Sequence, residues 1–179
     1  MKQLYSKDQI AASVADVARQ ISDDYRDKEI LLIVVLKGAM FFAADLARQI
    51  DGDVSIDFMR VTSYGADTCS CGNVTLKVDL ETDICDKHVI VVEDIVDTGL
   101  TLHELIKHLK TYNPATLKIC TLIDKPERRV VEVSVDYCGM EIDNYFIVGY
   151  GLDLDEKYRN LDAIYLFDPA QQQSTTGDS

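Results

Sequence analysis

Apolar and polar positions divide the chain into segments of two periods. Ile10, Val14, Val17, Ala18, Ile21 and Tyr25 recur at helical spacing behind Ser6 and Gln9, whose types and separation form a capping box. An amphipathic helix is therefore predicted to open the domain. Residues 30–36 are a continuous run rich in Ile, Val and Leu, as a central parallel strand covered on both faces requires. After Lys37, Gly38 and Ala39, a second helical face is predicted on Met40, Ala43, Ala44, Ala47 and Ile50. Residues 54–61 read as a strand and 62–73 as a long polar loop. Val74, Leu76, Val78 and Leu80 then alternate with polar residues, as in a half-exposed antiparallel strand.

The sharpest change of period falls within residues 88–111. His88 to Glu93 is of strand type, whereas Leu102, Leu105, Ile106 and Leu109 repeat at helical spacing, so a strand is predicted to enter a helix through the turn 93–101. Asn113 and Pro114 stop that helix, and residues 116–123 form another buried strand. Val131, Val133, Val135 and Tyr137 alternate, residues 145–150 are apolar, and 163–167 close the fold. Strands alternating with helices predict an α/β domain with a parallel sheet over residues 1–169, followed by a disordered polar tail at 170–179.

The turn 93–101 crowds three carboxylates, two threonines and a glycine between two buried elements. Free N–H groups and the dipole of a helix start favour a phosphate, which Thr98, Gly99, Leu100 and Thr101 are placed to receive. Glu93 and Asp94 would repel that anion and suit something that donates, either sugar hydroxyls or hydrated Mg²⁺. A structural alternative is open for single residues: Thr101 with Glu104 has the capping-box pattern, and Asp97 or Thr98 could terminate the strand and cap the helix. Lys37, the 93–101 turn, Lys125 and Asp153 all follow strands, so in a parallel sheet they can converge on one edge.

Composition narrows the partners. The 179 residues carry a net charge of −13, which argues against a broad basic surface and hence against nucleic-acid or anionic-membrane partners. No stretch resembles a signal peptide or reaches membrane-spanning length, so a cytoplasmic location is expected. Of the five cysteines, Cys85, Cys120 and Cys138 suit reduced buried thiols, and Cys69 with Cys71 lacks a partner pair at zinc-site spacing.

The run VVEDIVDTGLT resembles the 5-phosphoribosyl 1-pyrophosphate (PRPP) motif of the type I phosphoribosyltransferases. With Leu36-Lys37-Gly38, Ser63-Tyr64-Gly65, Leu122 to Lys125 and Phe146 to Asp153, the chain is similar to the bacterial hypoxanthine-guanine phosphoribosyltransferases across residues 6–168. The resemblance implies a central parallel sheet flanked by helices, with a small hood and a mobile lid loop. It also implies transfer of phosphoribosyl from PRPP to hypoxanthine or guanine, giving IMP or GMP and pyrophosphate, with Mg²⁺ as cofactor and a homodimer or homotetramer as the assembly.

Carried over by position, the resemblance assigns ribose and metal to Glu93 and Asp94, acid/base work at purine N7 to Asp97, and the 5-phosphate to Thr98, Gly99, Leu100 and Thr101. Pyrophosphate falls to Leu36, Lys37, Gly38 and Arg159, with a cis Leu36–Lys37 peptide bond. The purine falls to Lys125, Phe146, Ile147 and Asp153, of which Asp153 is also a Mg²⁺ ligand, and the lid begins at Ser63 and Tyr64. Leu100 stands where a polar residue is common in the family. Two other classes of protein share parts of this pattern. A nucleic-acid-binding regulator of the same fold would need a basic face, and a phospho-receiver domain collects its acids from separate strands rather than from one turn.

Overall fold

The computed structural model describes residues 1–63 and 74–168. Strand β1 (Lys2–Tyr5) precedes the first helix, α1 (Lys7–Asp24), an element that the expected opening helix did not include. The capping box is formed: Gln9 N–H donates to Ser6 Oγ at 3.2 Å and Ser6 N–H to Gln9 Oε1 at 2.9 Å. The chain continues through β2 (Ile30–Val35), α2 (Met40–Ala47), β3 (Val54–Ser63), β4 (Val74–Val78), β5 (His88–Val96) and α3 (Leu100–Lys110). It ends with β6 (Thr116–Asp124), β7 (Tyr137–Glu141), β8 (Ile147–Val148) and β9 (Ile164–Leu166).

Six strands form the main sheet in the order β4-β3-β2-β5-β6-β7. All neighbours pair in parallel except β4, which lies antiparallel along β3 as its alternation predicted. β2 and β5 sit at the centre, and every residue of β2 is buried. Leu32, Val34, Ile90 and Val92 face α1 and α2, while Leu31, Ile33, Val89 and Val91 face α3, so the continuous apolar runs serve two cores at once. A separate three-stranded sheet, β1-β9-β8, joins the two ends of the described chain and supplies the expected hood.

Several local expectations change. The core face of α2 is Phe42, Ala43 and Leu46, with Met40 46% exposed. The segment is apolar nearly all round, so its periodicity could not choose a face, and the two bulky side chains took the buried positions. Residues 131–136 are not a strand. Val133 and Val135 pack from a loop against the α3 core, and pairing with β6 begins only at Tyr137. The apolar run 145–150 contributes only two strand residues, with Tyr145 and Phe146 exposed. Cys120 is buried and Cys138 partly so, but Cys85 is exposed rather than buried.

Ser63 ends β3, its backbone opposite Val74, whereas Tyr64, Cys69, Cys71 and the tail at 170–179 lie outside the described residues. Among the described residues no helix is long and apolar enough to cross a membrane.

Replacing Ser6 by Ala removes the side-chain acceptor for Gln9 N–H at the start of α1, while the backbone N–H of residue 6 can still donate to Gln9 Oε1. It should cost about 1 kcal/mol, read as a lower urea midpoint at unchanged denaturant slope. An unchanged midpoint would mean that the packing of α1 alone fixes its start.

Candidate active site

The parallel order brings the carboxyl ends of β2, β5 and β6 to one edge. There β5 runs further than the periodicity suggested. Ile95 pairs with Ile123 and Val96 with Asp124, so residues 93–96 stay in the strand and the turn shrinks to Asp97, Thr98 and Gly99. Burial of Val92 and Val96 holds this extension in place.

Gly99 is the N-cap of α3, in the left-handed region at φ 81°, and a Cβ there would stand 2.9 Å from Arg129 Cδ. Only glycine meets both demands. The Thr101–Glu104 capping box does not form, because the helix begins two positions too early for it; Glu104 instead meets Lys107 at 3.5 Å. Gly99 supplies no side-chain cap to α3, and the first helical bond runs from His103 N–H to the Gly99 carbonyl. Leu100, half exposed, has only a long bond from its N–H to Thr98 Oγ1 at 3.5 Å, which a stronger acceptor can displace. Such an end receives anions.

Glu93 and Asp94 lie side by side at the floor of this edge. Burial raises the pKa of both carboxyls, and the charge of Asp94 pushes Glu93 well above the ordinary carboxylate range. Asp94 Oδ1 accepts from Ile95 N–H at 2.9 Å. Gly38 presses on the same group, since a Cβ at Gly38 would run into Asp94 Oδ2, and a Cβ at Gly151 would run into the Gly38 carbonyl. The turn after β2, whose Leu36–Lys37 peptide is cis, is therefore clamped between Asp94 and the 149–152 turn.

Two cations stand beside that clamp. Arg159 Nη2 meets Asp153 Oδ1 at 2.8 Å, and Nη1 donates to the Gly151 carbonyl at 2.7 Å, leaving its buried Nε without a partner. Lys37 Nζ donates to Glu156 Oε2 at 2.8 Å, and the same oxygen lies 3.4 Å from Arg159 Nη2. Glu156 is a site residue that sequence reasoning missed. It lies in a charged turn with nothing local to distinguish it, and only the fold sets its carboxylate between Lys37 and Arg159. An anion binding to both cations must exchange with it.

A cavity of about 470 Å³ is lined by Leu36, Gly38, the residues from Glu93 to Gly99, Thr101 and Asp153. A hollow of about 580 Å³ at the opposite ends of the strands is larger, but in its lining the carboxylates Asp23, Asp27, Glu29, Asp51 and Asp53 outnumber Arg26 and Lys28, a net negative set that disfavours a phosphate.

The remaining expected residues flank the cavity through β6 and the hood. Lys125 is buried, and its backbone N–H donates to the Val96 carbonyl at 3.0 Å. Its Nζ donates to the Tyr145 carbonyl at 2.6 Å, and burial lowers its pKa against the opposing pull of Asp97. Phe146 is 51% exposed and meets Phe167 edge-on at 5.6 Å, so it is not the core aromatic that its strand-like surroundings suggested. The Ile147 side chain is committed to the core. Asp97 is held by Arg128, from Nε to Oδ1 at 2.9 Å, and does not cap α3.

Known proteins resemble this chain in sequence and in fold. A family model described as a phosphoribosyl transferase domain matches residues 1–155. The hypoxanthine-guanine phosphoribosyltransferase of Mycobacterium avium is 46% identical over 176 residues, which is 95% of this chain and 87% of the relative. A hypoxanthine-guanine-xanthine phosphoribosyltransferase of Tritrichomonas foetus is 43% identical over 162 residues, 90% of this chain and 88% of the relative. A crystal structure of a Bacillus anthracis hypoxanthine-guanine phosphoribosyltransferase superposes with a TM-score of 0.90 at 49% identity, covering 94% of this chain and 99% of that one. A weakly capped helix start facing buried carboxyls and paired cations thus sits in a chain that belongs to the phosphoribosyltransferase family.

Proposed function

We propose that this chain is a purine-salvage phosphoribosyltransferase that moves the 5-phosphoribosyl group of PRPP to N9 of hypoxanthine or guanine, yielding IMP or GMP and pyrophosphate. One observation carries the reading: a single cavity joins a weakly capped helix N-terminus, a buried carboxyl pair and a turn bearing Lys37. The activities of the relatives supply the base.

The parts divide the substrate by charge. Backbone N–H groups of Thr98, Gly99, Leu100 and Thr101 take the 5-phosphate, since the dipole and unpaired donors favour an anion there. The carboxyls of Glu93 and Asp94 accept from the ribose hydroxyls. Lys37 and Arg159, with the Leu36–Gly38 backbone, take the pyrophosphate, exchanging Glu156 for a group of higher charge. Lys125 donates to the purine 6-oxo group; an ammonium has three donors and no acceptor, so it meets a carbonyl and opposes an amino group. Phe146 offers an exposed ring face to the base, and Asp97 accepts or returns the proton at N7.

Mg²⁺ fits the donors present. Among the described residues no three His, Cys, Asp or Glu side chains converge as a ready-made metal site. Two adjoining carboxyls that hold protons too tightly, with Asp153 nearby, suit an ion that takes most of its ligands from water and substrate oxygens. When bound it would screen the charge of the leaving pyrophosphate.

A pyrophosphate-release assay from PRPP with Mg²⁺, run against hypoxanthine, guanine, xanthine, adenine and orotate, should give turnover with the first two. Release with no base would sink the enzymatic reading. Asp97→Asn should lower kcat on the order of 10² to 10⁴-fold, and full activity in that variant would remove its role.

Lys125→Met should abolish the preference for 6-oxopurines over adenine. That preference can reach about 10⁴ when a buried donor is left unpaired. An intact preference would relocate the base pocket.

Because Glu93 and Asp94 bind protons more tightly folded than unfolded, their ionisation costs stability progressively as pH rises above the ordinary carboxylate range. Mg²⁺ with pyrophosphate should therefore raise the melting midpoint more at about pH 8 than at about pH 5. An equal rise at both would place the ion elsewhere.

A further inference from the structure

Two cations at the site, Arg128 and Arg129, have no task in the assignments above; Arg129 is nearly enclosed on Asp124, whereas Arg128 reaches the assigned Asp97. Its Nε donates to Asp97 Oδ1 at 2.9 Å, and Nη2 lies 3.5 Å from Oδ2. Both side chains are almost half exposed, and a free surface pair of that kind contributes little to stability.

This pair differs from a free one because its two backbones are already fastened together. Lys125 N–H donates to the Val96 carbonyl and Val130 N–H to the Thr98 carbonyl, each at 3.0 Å, so Asp97 is bracketed on both sides. Between those bonds runs a 3-10 turn, Pro126–Arg128, closed by Arg128 N–H on the Lys125 carbonyl at 3.0 Å. Proline at its start fixes the direction of the turn. Beneath it Arg129 pairs with Asp124 and packs against Gly99. The turn therefore aims Arg128 back at Asp97 from a fixed base.

We propose that Arg128 is a positioning residue for Asp97, gripping Oδ1 so that Oδ2 is presented to the purine. The proposal rests on the reading of Asp97 given above. A carboxylate oxygen held by a guanidinium N–H is oriented in the plane of that fork. Each carboxylate oxygen has two lone-pair sites, so the long Nη2 bond at 3.5 Å occupies one site on Oδ2 and leaves the other to accept from the purine N7–H. The same turn begins at Lys125, the donor assigned to the 6-oxo group. One short segment thus sets the spacing between the two side chains that read neighbouring edges of the base, and purine geometry is matched by the turn rather than by either residue alone.

The test is a double-mutant cycle in the full-length protein. kcat and the KM values for PRPP and hypoxanthine are measured for Arg128→Ala, Arg128→Lys, Asp97→Asn and the Arg128→Ala/Asp97→Asn double variant. Arg128→Ala should lower kcat on the order of ten- to a hundredfold, the scale of a misplaced catalytic group, with KM for PRPP unchanged. Arg128→Lys should recover part of that loss. In the Asp97→Asn background, Arg128→Ala should cost nothing further, because there is no longer a carboxylate to hold.

Wild-type kcat in Arg128→Ala would overturn the proposal. So would losses that multiply independently in the double variant, or a loss that Lys does not relieve and that raises KM for PRPP equally. A fully active Asp97→Asn enzyme would instead locate the failure in the reading of Asp97 itself.

Discussion

Two carboxyls side by side at the end of a buried strand cannot both be ionised cheaply, and much of this site is arranged around that cost. Glu93 and Asp94 are held there because β5 stays paired with β6 through Val96. Burial raises both pKa values, and the charge of Asp94 adds to the rise at Glu93. A group that repels its neighbour at the floor of a cleft is poised for hydroxyls or a cation, either of which lowers the cost on arrival.

The neighbours of that pair follow from it. Gly38 carries no side chain because Asp94 occupies the place a Cβ would need, and Gly151 carries none because the Gly38 carbonyl does. Three segments from distant parts of the chain are thus stacked backbone against side chain, and this stack adds to the bonds that tie the turn after β2 to its neighbours, from Leu36 N–H to the Met59 carbonyl of β3 and from Met40 N–H of α2 to the Lys37 carbonyl. The position of Lys37 inherits its definition from this stack.

A protein of net charge −13 that receives a polyanion must concentrate its cations. It does so in pairs: Lys37 with Glu156, Arg159 with Asp153, Arg129 with Asp124, and Arg128 with Asp97. Each carboxylate keeps its cation aimed and prevents it from collapsing onto another surface. The half-exposed pairs can exchange partners with a ligand, whereas Arg129 and Asp124 are nearly enclosed and act as framework.

The amino-acid pattern by itself determined the main elements, the parallel sheet and the short run that became the cleft. Continuous apolar strands, a capping box at Ser6 and an acidic, glycine-containing turn are local consequences of backbone and side-chain chemistry. It also named Lys37, Lys125 and Asp153, since charged residues at strand ends have few other places to go in a doubly covered sheet, whereas Arg159 came only from the family resemblance. It did not reveal the role of Glu156, the grip of Arg128 on Asp97 or the pressure of Gly38 on Asp94, because each joins residues between 31 and 119 positions apart or depends on backbone packing. It also misjudged the face of α2, the strand at 131–136 and the cap of α3. Where several apolar or polar groups could satisfy the local rule equally well, only the tertiary structure decided, through which side chain filled the core and where β5 stopped pairing.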